Sequence, residues 1–444
     1  MEQGEKRQTR PAPKGLGGLL RNIGPGVIVS GSVVGSGELL VTTHMGAKVG
    51  FVFLWGVIFA CLAKFFIQLE LGRQCLLHNS TTIEILDRVP GWRLGRTSWL
   101  SWVCVIGYFM VTIAVIGILG SVAGLLGAVW PAVPQAAWAG LAFVMMAALL
   151  YRGLYEDMEK MVTVLVGTFS FVVIFSVLML QGTSYAIDSA QLLSGFQFEL
   201  PTAGALVAIS VMGSVGVTAV ELFMYPYWIR EKGYPDFVGP KDDSPEWQER
   251  YRGWMRVLFA DASVCTLIAL VITCAYYLLG ASVLNELNVL PEGIAVAQHV
   301  SLIFTETIGQ WAYSLFMFGA FCTLFSTLLV FASSSGRIGA DFLRQVGMDS
   351  LGQGDKHRRM ERILQTVFPF CWLLFIWIEP GGLDFVLQGA RVNNYLLIPM
   401  AYGILHLAMR TRGDERMPLS IELGLLFTIW LIINFTAISL YQAG

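Results

Sequence analysis

The chain has 444 residues, of which 55% are hydrophobic and only 14% charged, and its mean hydropathy is +0.64. A soluble globular domain is about one quarter charged, so a soluble multidomain protein is excluded and one membrane-embedded unit is expected. A formal net charge of −2 leaves no whole-chain basic footprint for nucleic acid.

The first residues, Met1 to Arg21, are basic and polar. They hold no short apolar stretch ahead of a small-residue cleavage site, so no cleavable signal is expected. Eleven apolar blocks follow, and blocks of this length read as membrane spans. They cover about 24–46, 50–76, 99–126, 135–151, 158–181, 202–228, 255–280, 300–333, 363–378, 385–409 and 419–440. The eighth is expected to tilt or break, and the ninth is short. Residues 231–253 form the longest connection, rich in proline and charge, and 336–361 form a second one on the same side. The outer loops 182–200 and 281–298 carry acids but no lysine or arginine. The seven cysteines, from Cys61 to Cys371, form no CxxC pair and read as small core residues.

Charge segregation tests this count, because cytoplasmic loops are enriched in lysine and arginine. With the N-terminus placed inside, all but three of the 29 basic residues fall in the tail or in connections of one side. The exceptions are Lys48 in an outer loop, and Lys64 and Arg391 inside spans. The expected orientation is therefore N-terminus cytoplasmic and C-terminus outside, as a multi-pass protein of a bacterial inner membrane.

Spans 1 and 6 carry matching glycine clusters. Span 1 reads Gly31-Ser32-Val33-Val34-Gly35-Ser36-Gly37-Glu38, and span 6 reads Gly213-Ser214-Val215-Gly216-Val217-Thr218-Ala219-Val220-Glu221. Each has Gly-Ser-Val, another glycine and then an acid. Glycine weakens a helix by roughly 1 kcal/mol relative to alanine. Unwound backbone at membrane depth is tolerated only when buried in protein or lining a cavity. Close helix packing on small residues is the plainer reading of either cluster. Two clusters at matched places favour paired broken helices with a midplane site, as in transporters built from inverted repeats. If spans 6–10 repeat spans 1–5, an odd number per repeat turns the second copy upside down.

Residues 24–51 resemble the Nramp family of proton-coupled divalent-metal transporters. The resemblance rests on Gly24-Pro25-Gly26 and on Met45-Gly46-Ala47-Lys48-Val49-Gly50-Phe51. It continues in Asp157-Met158-Glu159-Lys160 and in the stretch from Phe325-Ser326-Thr327 to Arg337-Ile338-Gly339. It implies an all-α membrane protein of LeuT-type fold, two inverted five-helix repeats plus an eleventh helix. The implied division is a cytoplasmic tail (1–23), repeat 1 (24–181), an outer loop (182–201), repeat 2 (202–409), then helix 11 and the C-terminus (410–444). The chemistry departs from the family pattern. Gly35, Ser36, Gly37 and Glu38 stand at the positions of its Asp-Pro-Gly-Asn motif. Val217, Thr218 and Ala219 replace its Met, Pro and His, which removes the soft thioether suited to transition metals.

Ionisable groups inside a membrane are costly and mark sites by default. Glu38 reads as a hard-oxygen ligand for Mg²⁺ or another cation, as a proton carrier, or as half of a structural ion pair. Glu221 faces the same cavity or pairs structurally. Lys64 pairs with Glu38, Glu70 or Glu221, and Arg391 neutralises an acid or binds an anionic substrate. The expected substrate-binding set is Gly35, Ser36, Glu38, Gly216, Val217, Thr218, Glu221 and Gln388. Glu38, Lys64 and Arg391 are the coupling or charge-pair set, and Glu38 is the metal-ligand candidate. His44 reads as hydrogen-bonded structure, and Thr42 and Thr43 as bonding back to their helix. No HExxH, GxxxxGK[ST], GxSxG or GxGxxG occurs, so no enzyme activity, cofactor or ATP drive is expected. The partners expected are the lipid bilayer and a small solute or ion, with protons as the candidate coupling ion and no nucleic acid. The function read from these residues is secondary transport of a hard divalent cation or another small solute. An organic or anionic solute on the same scaffold, and a membrane sensor that transports nothing, are the alternatives.

Overall fold

The structure is a computed structural model that describes residues 9–26, 29, 35–151, 155–242, 244–292, 296–348, 355–411 and 413–443. Gly31 to Val34, the first half of the span 1 cluster, lie outside the described residues, as do Arg152 and the side chains of Asp157 to Lys160. Almost every described element is a helix. Among the described residues the one sheet is a two-residue hairpin, Arg93–Leu94 with Thr97–Ser98.

Local sequence explains where the helices start and stop. Span 2, Leu54–His78, ends on Asn79, whose φ of 48° is the left-handed cap that asparagine tolerates. Thr81 and Glu84 form a reciprocal capping box that starts Thr82–Asp87. Ser98 caps span 3, Trp99–Val129, and Ser244 caps span 7, Pro245–Leu279, with proline at the first helical position. Spans 4 and 5 are Gln135–Tyr151 and Tyr155–Leu180. Spans 10 and 11 are Leu383–Arg410 and Leu419–Ala443.

Seven helical stretches are long and apolar enough to cross a membrane among the described residues, with span 6 counted across its link. They are spans 2, 3, 6, 7, 8, 9 and 11. Gln135–Leu150 and Ser170–Leu180 are shorter apolar helices. Span 10 is less apolar, because Asn393, Asn394, Pro399 and His406 lie within its apolar stretch. It nevertheless lies deep in the bundle, packed along span 3 and against the first half of span 6.

Span 6 breaks at its glycine cluster, as expected: it is two helices, Ala205–Ser214 and Ala219–Lys232, separated by a short non-helical link. Two other spans differ from expectation. Residues 300–307 do not begin span 8: they belong to a separate helix, Val296–Thr307, and span 8 is Ala312–Gln345. The reason is amphipathicity. Val296, Val300, Ile303 and Phe304 form one buried stripe while Gln298 and Glu306 face out, so the segment lies on the bundle rather than crossing with span 8. Span 9 begins at Asp355, several residues before its apolar block, because Lys356 to Arg362 continue the helix as an exposed basic turn.

Connections assigned to one side by charge meet on one face. Arg10 N donates to Phe237 O at 3.0 Å, Arg344 pairs with Glu84 at 3.1 Å, Arg337 pairs with Glu231 at 2.7 Å, and Lys241 pairs with Glu415. The opposite face joins the outer loops: His44 Nδ1 lies 2.8 Å from Pro291 O, and Trp55 Nε1 donates to Glu199 O at 3.0 Å.

Candidate functional site at the paired helix breaks

The π-helical turn of span 1 and the break in span 6 touch backbone to backbone. Past Ser36, span 1 runs as a π-helix over Gly37–Thr42 before resuming as Thr43–Val49. π-turns inside helices recur at functional sites. Here the Thr42 and Thr43 hydroxyls donate to the carbonyls of Gly37 (3.1 Å) and Glu38 (3.3 Å), the back-bonding expected of them. A Cβ on Gly37 would fall 2.3 Å from Ser214 O, so only glycine lets the two breaks approach this closely.

In span 6 the link passes through Gly216 at φ +62°, and a Cβ there would sit 3.1 Å from Cys61 Cα on span 2. The second half-helix then restarts with its own capping box: Glu221 Oε2 accepts from Thr218 N at 2.9 Å and from the Thr218 hydroxyl. Asn393 of span 10 holds the gap open. Its Nδ2 donates to Gly213 O and its Oδ1 accepts from Ala219 N, each at 3.1 Å.

A cavity lies between these breaks and spans 3, 8 and 10. Its polar lining is Ser36, Ser214, Thr218, Glu221, Thr327 and Asn393, and Val111, Ile118 and Phe331 contribute apolar wall. About 40 Å³ is open to the centre of a water-sized sphere, where one water needs roughly 10–15 Å³. The space suits an ion with a few waters. The Ser214 and Thr327 hydroxyls donate backwards, to Ser210 O at 2.8 Å and Thr323 O at 3.0 Å, so their oxygen lone pairs remain as acceptors. No lysine, arginine or histidine is among the described residues that line the cavity. No cluster of three or more His, Cys, Asp or Glu suited to a metal occurs among the described residues either.

Of the expected site residues, Ser36, Thr218 and Glu221 line this cavity. Glu38 does not. It is fully buried behind the breaks, where Oε2 accepts from Gly35 N and Oε1 from Gly216 N, both at 3.2 Å, and from Thr273 Oγ1 of span 7 at 3.3 Å. The carboxylate thus ties both breaks to span 7, and Gly35 and Gly216 serve it with amides. Val217 is buried in the core. Gln388 is exposed on another face of span 10, because the cavity face is the i, i+3, i+4, i+7 row Val386, Gly389, Ala390, Asn393.

The charge-pair expectations are corrected. Lys64 makes no salt bridge among the described residues. Its ammonium donates to the carbonyls of Gly213 (3.3 Å) and Val215, which the break in span 6 leaves without helical partners. Glu70 pairs with Arg73 instead. Arg391 Nε donates to Leu387 O at 3.3 Å on its own helix and makes no ion pair among the described residues.

Sequence reasoning missed Asp261 of span 7. It is buried and accepts from Gly24 N (2.8 Å), Gly26 N (2.6 Å) and the Tyr225 hydroxyl (2.9 Å), so it fastens the start of span 1 to span 6. The signal was present, since an aspartate inside an apolar block is a site candidate by default.

Comparison with known proteins agrees with this geometry. Across nearly the same length, the chain is 22% identical over 433 residues to an uncharacterized protein, PM0681, of Pasteurella multocida (strain Pm70), covering 95% of this chain and 92% of that one. Its fold is similar to the manganese transporter of Eremococcus coleocola in complex with an aromatic bis-isothiourea substituted compound (TM-score 0.61, 13% identity, 100% of this chain and 91% of that). It is also similar to MhsT in complex with L-phenylalanine (TM-score 0.59, 14% identity, 98% and 100%). A third is Mhp1, a nucleobase-cation-symport-1 family transporter (TM-score 0.56, 12% identity, 97% and 94%). The fold is therefore the all-α, LeuT-type fold of multi-pass integral membrane proteins. The profile of the Nramp family, described as natural resistance-associated macrophage protein-like, matches residues 26–442, and the chain belongs to that family.

Proposed function

We propose that this chain is a secondary transporter that carries a small hard divalent cation, Mg²⁺ being the reference case, by alternating access around the cavity at the paired breaks. The observation that carries the reading is the cavity's lining: hydroxyl, amide and carboxylate oxygens with one acid, Glu221, and no basic side chain among the described lining residues. Mg²⁺ takes oxygen ligands, uses one or two carboxylates and keeps several waters. Glu221 has one oxygen engaged by Thr218, and its Oε1 makes no hydrogen bond among the described residues. Family membership and the likeness to a manganese transporter support a divalent cation as cargo. The missing thioether at Val217 favours a hard one. An anionic solute gains no support, because neither Arg391 nor Lys64 lines the cavity.

In this reading Glu221 is the ligand and Glu38 the proton-coupling group that senses both breaks. Residues 24–181 and 202–409 are the two inverted repeats, with 1–23 as the cytoplasmic tail. The N-terminus is cytoplasmic and the C-terminus outside, in a bacterial inner membrane.

Uptake into proteoliposomes loaded with a Mg²⁺ indicator tests this. Wild type takes up Mg²⁺, Glu221→Gln loses at least about tenfold of the rate, and Glu38→Gln transports without response to an imposed pH gradient. Equal rates in wild type and Glu221→Gln would refute the ligand role. An undiminished gradient response in Glu38→Gln would refute the coupling role.

A further inference from the structure

We propose that Lys64 is a tethered cation: its ammonium fills a monovalent-cation site on the broken end of span 6, and without it that site accepts a dissolved alkali ion. The argument starts from the break. The helix Ala205–Ser214 stops inside the protein, so its last carbonyls lack intrahelical donors and form the negative end of the helix dipole. Asn393 reaches one of them, Gly213 O. Lys64, fully buried on span 2, reaches the same Gly213 O at 3.3 Å and also Val215 O beyond the helix end.

The opposite edge of the same link is held by Glu38, whose carboxyl oxygen accepts from Gly216 N at 3.2 Å. The link is thus clamped from both sides, by a donor on its carbonyl edge and an acceptor on its amide edge. Freed carbonyls of discontinuous helices, at half-helix C-terminal ends, are the groups that coordinate Na⁺ in ion-coupled carriers. An ammonium satisfies them equally well, with donors in place of coordination bonds. Here the cation is covalently attached, so it neither arrives nor leaves, and the carrier has no need of dissolved Na⁺ at this position. The inference concerns the link alone and holds whatever solute occupies the cavity.

The test is thermal unfolding of the purified full chain in detergent, in LiCl, NaCl, KCl and choline chloride at equal ionic strength. Wild type should unfold at the same midpoint in all four. Lys64→Ala should unfold at least about 5 °C lower in choline, and Na⁺ or Li⁺ should restore part of the loss with a saturable dose response. Ethylammonium chloride should restore it too, and tetramethylammonium should not. A saturable Na⁺ response in wild type overturns the proposal, because the cradle would then be open. So does a folded Lys64→Ala that treats all salts alike. If Lys64→Ala folds in no salt, Lys64→Gln decides: it keeps N–H donors but no charge. A Na⁺ or Li⁺ response there supports the tethered cation. A Lys64→Gln chain that folds without any cation response, at whatever midpoint, or that fails to fold in every salt, overturns it.

Discussion

Lys64 and Arg73 sit on the same helix, span 2, and both side chains are shut away from solvent. Lys64 spends its charge on backbone carbonyls of span 6, while Arg73 forms a closed pair with Glu70 and adds bonds to Glu415 O (2.8 Å) and the Thr411 hydroxyl (3.1 Å). Gln74 also donates to Glu70 at 2.9 Å, so that carboxylate is saturated by its own helix. The difference follows from what each meets. Arg73 faces intact helices whose backbone groups are used, and only side chains and a connecting turn remain to answer it. Lys64 faces a helix that stops, and orphaned carbonyls are there to receive it. Buried charge in this protein therefore has two uses: locking regular helices together, and holding open an irregular one.

Three substitutions break or sharpen that contrast. The largest effect belongs to Arg73→Ala, which strands Glu70 in the interior. Removing one member of a buried pair costs about 3–5 kcal/mol, whereas replacing both, as Glu70→Met with Arg73→Met, should recover most of it. Denaturation midpoints of the single and double variants measure this. A single variant as stable as wild type would show that the pair locks nothing. Next is Gly216→Ala. A non-glycine residue at φ +62° costs about 1–2 kcal/mol, and the methyl would also press on Cys61. Unfolding measurements should show that loss, and Mg²⁺ uptake should fall with it. The smallest is Arg344→Ala on the loop-bearing face. Arg344 and Glu84 are each about one third exposed, and Asp341, which Arg344 also pairs with at 3.1 Å, keeps the Tyr227 hydroxyl as a donor, so the loss should stay near the roughly 0–1 kcal/mol of exposed pairs. A larger loss would mean that this face carries stability now credited to the buried pairs.

The legibility of the fold in the sequence was uneven for physical reasons. Span 4 matches its apolar block from Gln135 to Tyr151, because a membrane helix must be apolar over its whole length. Val296–Thr307 misled because an amphipathic surface helix and the start of a span look alike in composition and differ only in which face is covered. At the site, Thr218 and Glu221 were legible as the residues just after a glycine break. Asn393 stands little more than a turn from Gln388 in span 10, and choosing it over Gln388 needs the helix phase, which depends on where spans 3 and 6 pack. Glu38 was correctly marked as buried and central. That it binds the two breaks rather than lining the cavity depends on Gly216, far away in sequence, turning its amide toward it.

What the sequence determined by itself was membrane residence, the grouping of the charged connections on one face and the two glycine clusters that meet at the site. Each follows from local composition: apolar length, the distribution of lysine and arginine, and glycine's weak hold on a helix. What only the tertiary structure decided was who answers each buried charge. Lys64 had three acids as plausible partners and took none of them. Its partners are carbonyls, and every residue type carries one. Sequence cannot mark a carbonyl as free, because it becomes free only where a helix actually stops against its neighbour.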